Sequence, residues 1–194
     1  EVSRAMAVPS IGGQPSVEPV SGQMHRYEDG SSLLVPLLAT MAAFSDRPEH
    51  DSLLVDAFRR LATRHREHSR YTLWIEMQLY PALLALYSIG LGATAARRLS
   101  PLVNSLSNIE VHHPNGALKP AVAVASSRVL DASVCNALVA PASKRKTPVS
   151  DYLHDLLREP LRSVLPSDDE YSDAFDDLEY ILGVACTSVR GRGP

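Results

Sequence analysis

Hydrophobic positions fall into blocks along the chain, and the longest block covers residues 71–99, YTLWIEMQLYPALLALYSIGLGATAARRL. Pro81 divides it. Proline donates no backbone hydrogen bond and drives Tyr80 away from the helical region, yet it suits the first turn of a helix. A helix therefore starts at Pro81. Residues 72–79 form a shorter element of either helix or strand, since periodicity does not separate the two over so few residues. Beyond Pro81, Leu83, Leu84, Leu86, Tyr87, Gly90 and Leu91 occupy more than one face. A helix that is apolar nearly all round is a buried helix. Gly90 and Gly92 inside it predict close approach by a neighbouring backbone, because each glycine otherwise costs about 1 kcal/mol against alanine. Arg97 and Arg98 close the helix where positive charge suits its dipole.

The remaining blocks predict amphipathic helices around this one. Residues 1–26 are rich in Pro, Gly and Ser and show no period, so they read as a flexible arm. The alternative is an ordered strap docked through Val8, Ile11, Val17 and Val20. A helix then runs to about Phe44, capped by Asp29, Ser31 or Ser32, with the stripe Leu34, Leu37, Leu38 and Met41. Asp46 and Glu49 form a capping-box signal for the next helix, which carries Leu54, Ala57, Phe58, Leu61 and Ala62 on one face. Ser100-Pro101 opens a helix bearing Leu102, Val103, Leu106 and Ile109, and the turn His112-His-Pro-Asn-Gly116 follows. Residues 121–126 read as a weak helix or strand. Asp131 caps a helix holding Val134, Cys135, Leu138 and Val139. APASKRK, residues 140–146, reads as a basic surface loop.

Thr147-Pro148 starts another helix, with a break expected near Glu159 before Pro160. Ser167-Asp-Asp-Glu170 is the clearest local signal in the chain: a capping box with two further carboxylates at the positive end of the dipole. Its helix extends to about Val189 on Tyr171, Ala174, Phe175, Leu178, Ile181, Leu182 and Ala185. The expected fold is all-α, an irregular, short solenoid-like array of seven to nine helices. One domain spans 27–190, between the arm and a frayed tail at 191–194.

Composition adds little. The chain has 194 residues, 45% of them hydrophobic, and a formal net charge of −3. That balance disfavours a general nucleic-acid binder while leaving room for a local basic patch. Cys135 and Cys186 read as reduced core thiols in a cytoplasmic protein. A membrane span is weighed and set aside, because the clean apolar part of the central block is only about 18 residues long and rich in alanine and glycine. The first residue is Glu1 rather than Met, so a segment of a longer polypeptide or a processed product is expected.

Candidate chemistry is sparse. Arg59, Arg60, Arg64, Arg66 and Arg70, interleaved with His65 and His68, make a basic strip. It is either an anion or nucleic-acid contact or a solvated face completing a helix C-terminus. Without a glycine-rich loop or stacking aromatics beside it, the solvated face is the simpler reading. Asp173, Asp176, Asp177 and Glu179 form an acidic outer face, read as solvated or as a docking strip for a basic partner. His112 and His113 are adjacent, a spacing that does not converge on one ion. His154 and Asp155 are neighbours pointing apart, and Cys135 has no base at a recognisable spacing. No catalytic residue, metal ligand or cofactor follows from these positions.

The block Tyr80-Pro-Ala-Leu-Leu-Ala-Leu-Tyr-Ser-Ile-Gly-Leu-Gly-Ala-Thr-Ala-Ala-Arg-Arg-Leu99 resembles a tetratricopeptide-type helix, in which small residues let helices nest. No period of roughly 34 residues runs through the chain. More broadly, residues 27–189 resemble the helical C-terminal regions of large multidomain actinobacterial proteins. The likeness rests on YPALLALY, on Arg128-Val-Leu-Asp131, on Tyr152-Leu-His-Asp-Leu-Leu-Arg-Glu-Pro-Leu161 and on Glu179-Tyr-Ile181. It implies an effector domain upstream, sirtuin-like or nucleotide-binding, and a place in antiphage defence. It carries no catalytic residue across. The expected function is non-catalytic: an interaction, oligomerisation or sensing module with a protein partner or with itself. Nucleic-acid or phosphate-ligand binding through the basic strip is the alternative.

Overall fold

A computed structural model of the chain describes residues 17–63, 77–107, 109–112, 118–122 and 147–190. Seven helices are described: α1 (Val17–Ser31), α2 (Leu34–Phe44), α3 (Pro48–Ala62), α4 (Tyr80–Ala95), α5 (Ser100–Ser107), α6 (Pro148–Arg158) and α7 (Asp168–Arg190). A ribbon of β1 (Glu110–His112) and β2 (Leu118–Pro120) lies between α5 and α6. The all-α expectation stands, with this ribbon as an addition. The expected element at 72–79 lies almost wholly outside the described residues, and the helix predicted after Asp131 lies entirely outside them.

α4 is the axis of the body. Pro81 sits in its first turn rather than at its start, since Tyr80, expected outside the helical region, is the first helical residue, and every residue from 82 to 93 is buried. α1, α2, α3, α5 and α7 all pack against it. Its small hydroxyls are satisfied within the helix: Ser88 Oγ donates to the Leu84 carbonyl at 2.7 Å and Thr94 Oγ1 to the Gly90 carbonyl at 2.8 Å. Such back-bonding lets hydroxyls enter an apolar interior without an orphaned donor.

The two glycines serve different neighbours. A Cβ on Gly92 would lie 2.2 Å from the Ala39 carbonyl oxygen, so α2 rests its backbone directly on α4 here. A Cβ on Gly90 would meet the Leu178 side chain of α7 at 2.4 Å. Small residues set the separation of packed helices, and these two admit one helix on each side. α4 then ends in a Schellman motif: Arg98 N–H donates to Ala93 O at 2.7 Å, and Arg97 N–H donates to Thr94 O at 3.0 Å. Arg97 holds the left-handed position, φ 54°, that usually belongs to glycine.

The amino-terminal end differs from expectation. Residues 17–26, expected in the flexible arm, belong to α1, and Val20 and Met24 are buried in the core. The helix therefore starts about ten residues before the predicted domain boundary. The predicted single helix from the Asp29 region to Phe44 is two helices, with Ser32 Oγ donating to Asp29 O at 2.8 Å in the joint. Asp46 does not cap α3. Pro48 takes the first helical turn, which leaves Arg47 at the cap position with no side-chain hydrogen bond. Ser45 Oγ instead pairs with His50 Nδ1 and accepts from Arg47 N–H at 3.4 Å.

Ile109, expected on α5, lies beyond it. It is buried, and its carbonyl accepts from Ala121 N–H at 2.8 Å, extending the antiparallel ladder in which Val111 pairs with Lys119. α6 ends at Arg158, and residues 159–164 form turns around Pro160, as predicted. Ser167 caps α7 by accepting from Glu170 N–H at 3.4 Å. α7 buries Tyr171, Ala174, Phe175, Leu178 and Leu182. Among the described residues no helix is long and apolar enough to cross a membrane.

Candidate functional site

Two carboxylates reach inward to buried phenols of α4. Glu28 of α1 accepts from Tyr80 Oη at 2.8 Å and from Tyr152 Oη of α6 at 2.5 Å. Glu179 of α7 accepts from Tyr87 Oη. Tyr80 is the first residue of α4 and Tyr87 follows two turns later, so through Glu28, Tyr152 and Glu179 the pair ties α1, α6 and α7 to the axis. Burial, reinforced by the Glu28 charge, pushes the Tyr80 phenol far above its ordinary value, and burial with the Glu179 charge does the same to Tyr87. Phenols held so high stay protonated at neutral pH and keep donating. These groups act as ties between helices rather than as acids or bases.

A second cluster joins α6 to α7. His154 lies 5.0 Å from the Tyr171 ring and 5.0 Å from the Phe175 ring, edge-on to the latter. Tyr87 closes the group 5.7 Å from Phe175. Tyr171 Oη donates to the His154 carbonyl at 2.8 Å, and burial raises its phenol above the ordinary range. Arg158 lies over the Tyr171 ring at 5.0 Å and donates to Leu165 O at 3.0 Å and Asp168 Oδ1 at 2.6 Å. Its guanidinium holds the Asp168 carboxyl below the usual carboxylate range. Arg158 thus completes the carbonyls of the turn after α6 while pairing with the first turn of α7.

His154 was expected off the apolar face, pointing away from Asp155. It faces the aromatic cluster, and its Nδ1 lies 3.5 Å from Asp155 Oδ1. Glu179 was expected on the outer acidic face. It is half-buried and turned toward Tyr87, whereas Asp173, Asp176 and Asp177 are exposed as read from the sequence. The acidic strip is therefore three carboxylates rather than four. Of the basic strip, Arg59 and Arg60 are exposed on the last turns of α3, and Arg59 pairs with Asp56. Arg64, Arg66 and Arg70 lie outside the described residues, as do His113 and Cys135. Cys186 is half-buried on α7. Among the described residues, no three His, Cys, Asp or Glu side chains gather as a metal-holding group.

Among the described residues, several large apolar side chains are exposed, Leu53 of α3 and Val103 of α5 included. Leu33, Leu37 and Phe44 are exposed along α2, and Tyr180 and Val184 are exposed one turn apart on α7. Sequence reading placed Leu37 on the inward stripe of its helix, and it is the outer face that it occupies. Single exposed apolar residues are common, and several along one helix are less so. No protein-family model matches the chain, and no curated protein and no solved structure matches it either.

Proposed function

We propose that this chain is a non-catalytic helical module for protein association, including self-association. The observation that carries the reading is the exposed apolar line on α2, set on a body in which the buried phenols among the described residues, Tyr80, Tyr87 and Tyr171, serve as helix-to-helix ties. The setting implied by the sequence resemblance belongs to the same proposal: a cytoplasmic, helical region of a larger bacterial defence protein, acting as a sensing or oligomerisation segment. Nucleic-acid binding through the basic strip is the weaker reading, since Arg59 is already engaged by Asp56.

Site-specific photo-crosslinking tests the choice. A photoreactive residue placed at Leu37 is expected to give a discrete protein adduct in the cells that make the protein, and one placed at Glu49 is expected to give none. Adducts absent from every exposed position contradict the association reading. Nucleic-acid binding that weakens steeply with salt supports the basic strip instead.

A further inference from the structure

Several hydroxyls of the described residues complete bonds within their own helices. Ser52, Thr63, Ser105 and Ser188 each donate to the carbonyl four residues back. Ser100 does otherwise. It is exposed at the start of α5, and its Oγ donates across to Asp51 Oδ2 of α3 at 2.8 Å. The other oxygen of that carboxylate is buried and accepts no hydrogen bond among the described residues. Arg98 Nη2 lies 3.6 Å from it, an ion pair too long for a hydrogen bond. One carboxylate therefore holds a hydroxyl closely and a guanidinium loosely.

The residues around Ser100 add a charge pattern. Ala96, Arg97, Arg98 and Leu99 link α4 to α5, so two cations stand three and two residues before an exposed hydroxyl, and Pro101 follows it. Arg97 and Leu99 are exposed, and Arg98 is half-buried. Protein kinases discriminate their substrates by the charge pattern beside the acceptor. The order of basic residues, hydroxyl and proline recurs at Lys144-Arg145-Lys146-Thr147-Pro148. There Thr147 Oγ1 meets Asp151, on the helix it precedes, at 3.5 Å, whereas Ser100 meets a different helix at a shorter distance.

We propose that Ser100 is a phosphorylation site of this chain, addressed by Arg97 and Arg98, and that the phosphate draws Arg98 away from Asp51. In the step, Ser100 Oγ attacks the γ-phosphorus of ATP held by a protein serine kinase. The Oγ–P bond forms, the bridging P–O bond to ADP breaks, and the hydroxyl proton passes to the kinase's base. The hydrogen bond to Asp51 is lost with that proton. In its place a group of about −1.5 to −2 charge faces the Asp51 carboxylate, and the two repel. Arg98 gains charge-assisted hydrogen bonds to phosphate oxygens, which are stronger than a 3.6 Å ion pair. α3 and α5 pack against each other, so the joint between them loosens. α5 keeps its first turn, where a negative group suits the dipole. The proposal is independent of the association reading, and the failure of either leaves the other standing.

Phosphate transfer to the whole chain tests it. The protein is incubated with magnesium, radiolabelled ATP and an extract of the cells that make it. One phosphoryl group per chain is expected, recovered by peptide mapping on Ser100. Ser100→Ala is expected to lose the label and Ser100→Thr to keep it. Arg97→Ala combined with Arg98→Ala should slow transfer at least about tenfold, with circular dichroism confirming that the variant is folded. A label that persists in Ser100→Ala, on Thr147 or elsewhere, overturns the assignment, as does a chain that takes no label.

Phosphoserine encoded at position 100 tests the consequence. The thermal midpoint is expected to fall by about 2–4 °C, and Asp51→Asn, which removes the opposing charge, is expected to cancel most of that fall. An unchanged or higher midpoint overturns the loosening of the joint between α3 and α5.

Discussion

α2 and α4 are both helices without a single charged side chain, yet they end in opposite situations. α4 is buried throughout from residue 82 to 93, whereas α2 packs on α4 and α3 and leaves Leu37, Thr40 and Phe44 exposed. Composition therefore does not decide enclosure. What decides it is how many neighbours can approach, and α4 carries the two glycines that let α2 and α7 come close. α2 turns Val35, Leu38 and three alanines inward and leaves Leu37 and Phe44 outside, so apolar residues occupy both of its faces.

The contrast predicts a hierarchy of effects. The largest comes from alkali, through the phenols that anchor α4. Tyr80, Tyr87 and Tyr171 all have folded-state values raised above the ordinary phenol value of 10.0. Above pH 10 the unfolded chain releases these protons while the folded chain retains them. The folded state then binds more protons, so stability is complete below pH 10 and falls as the pH rises beyond it. Each phenol contributes a slope of about 1.4 kcal/mol per pH unit, and the three together up to about 4. Urea unfolding between pH 9 and 12 reads the slope directly, and Tyr87→Phe is expected to reduce it by about one third.

Paired truncations sharpen the comparison next. Leu86, fully buried on α4, should lose about 2–5 kcal/mol on replacement by alanine. Leu37, exposed on α2, should change by no more than about 0.5 kcal/mol. Chemical denaturation in dilute solution measures both. The glycines divide in the same way. Gly92→Ala drives a methyl group into the Ala39 backbone and should cost about 3 kcal/mol. Gly90→Ala meets only the tip of Leu178, which can rotate, and gains helix propensity, so its net cost is about 1 kcal/mol or less. Equal costs at the two positions would show that α2 does not approach as closely as described.

The smallest effect has the opposite sign. Arg97 occupies the left-handed position of the motif that ends α4. Arg97→Gly removes the Cβ penalty there and should stabilise the fold by about 1 kcal/mol, read as a higher thermal midpoint.

Much of this architecture was legible in local signals. Pro81 marked the start of α4, the glycines announced close approach, and Ser167 with Glu170 located the start of α7. The start of α1 also has a signal in the sequence. Val20, Met24 and Tyr27 already follow helical spacing, but the prolines and glycines before them masked where α1 begins. The strands at 110–112 and 118–120 are too short for alternation to announce them. Asp46 failed as a cap because proline at position 48 fixes the first helical turn.

The interior ties were not legible at all. Glu28 meets Tyr80 and Tyr152 across 52 and 124 residues, and Glu179 meets Tyr87 across 92. No local pattern distinguishes such glutamates from solvated ones. The exposed apolar line of α2 was hidden for a related reason. Both of its faces are apolar, so periodicity supplied no preference for the side that turns inward.

Thiol labelling of single cysteines tests the central contrast between the two helices most directly. On a background with Cys135 and Cys186 replaced by serine, Leu37→Cys in dilute solution should react at the rate of an unstructured thiol. Leu86→Cys should react only as fast as the whole domain unfolds. Comparable rates at the two positions would contradict an enclosed α4 beside an uncovered α2.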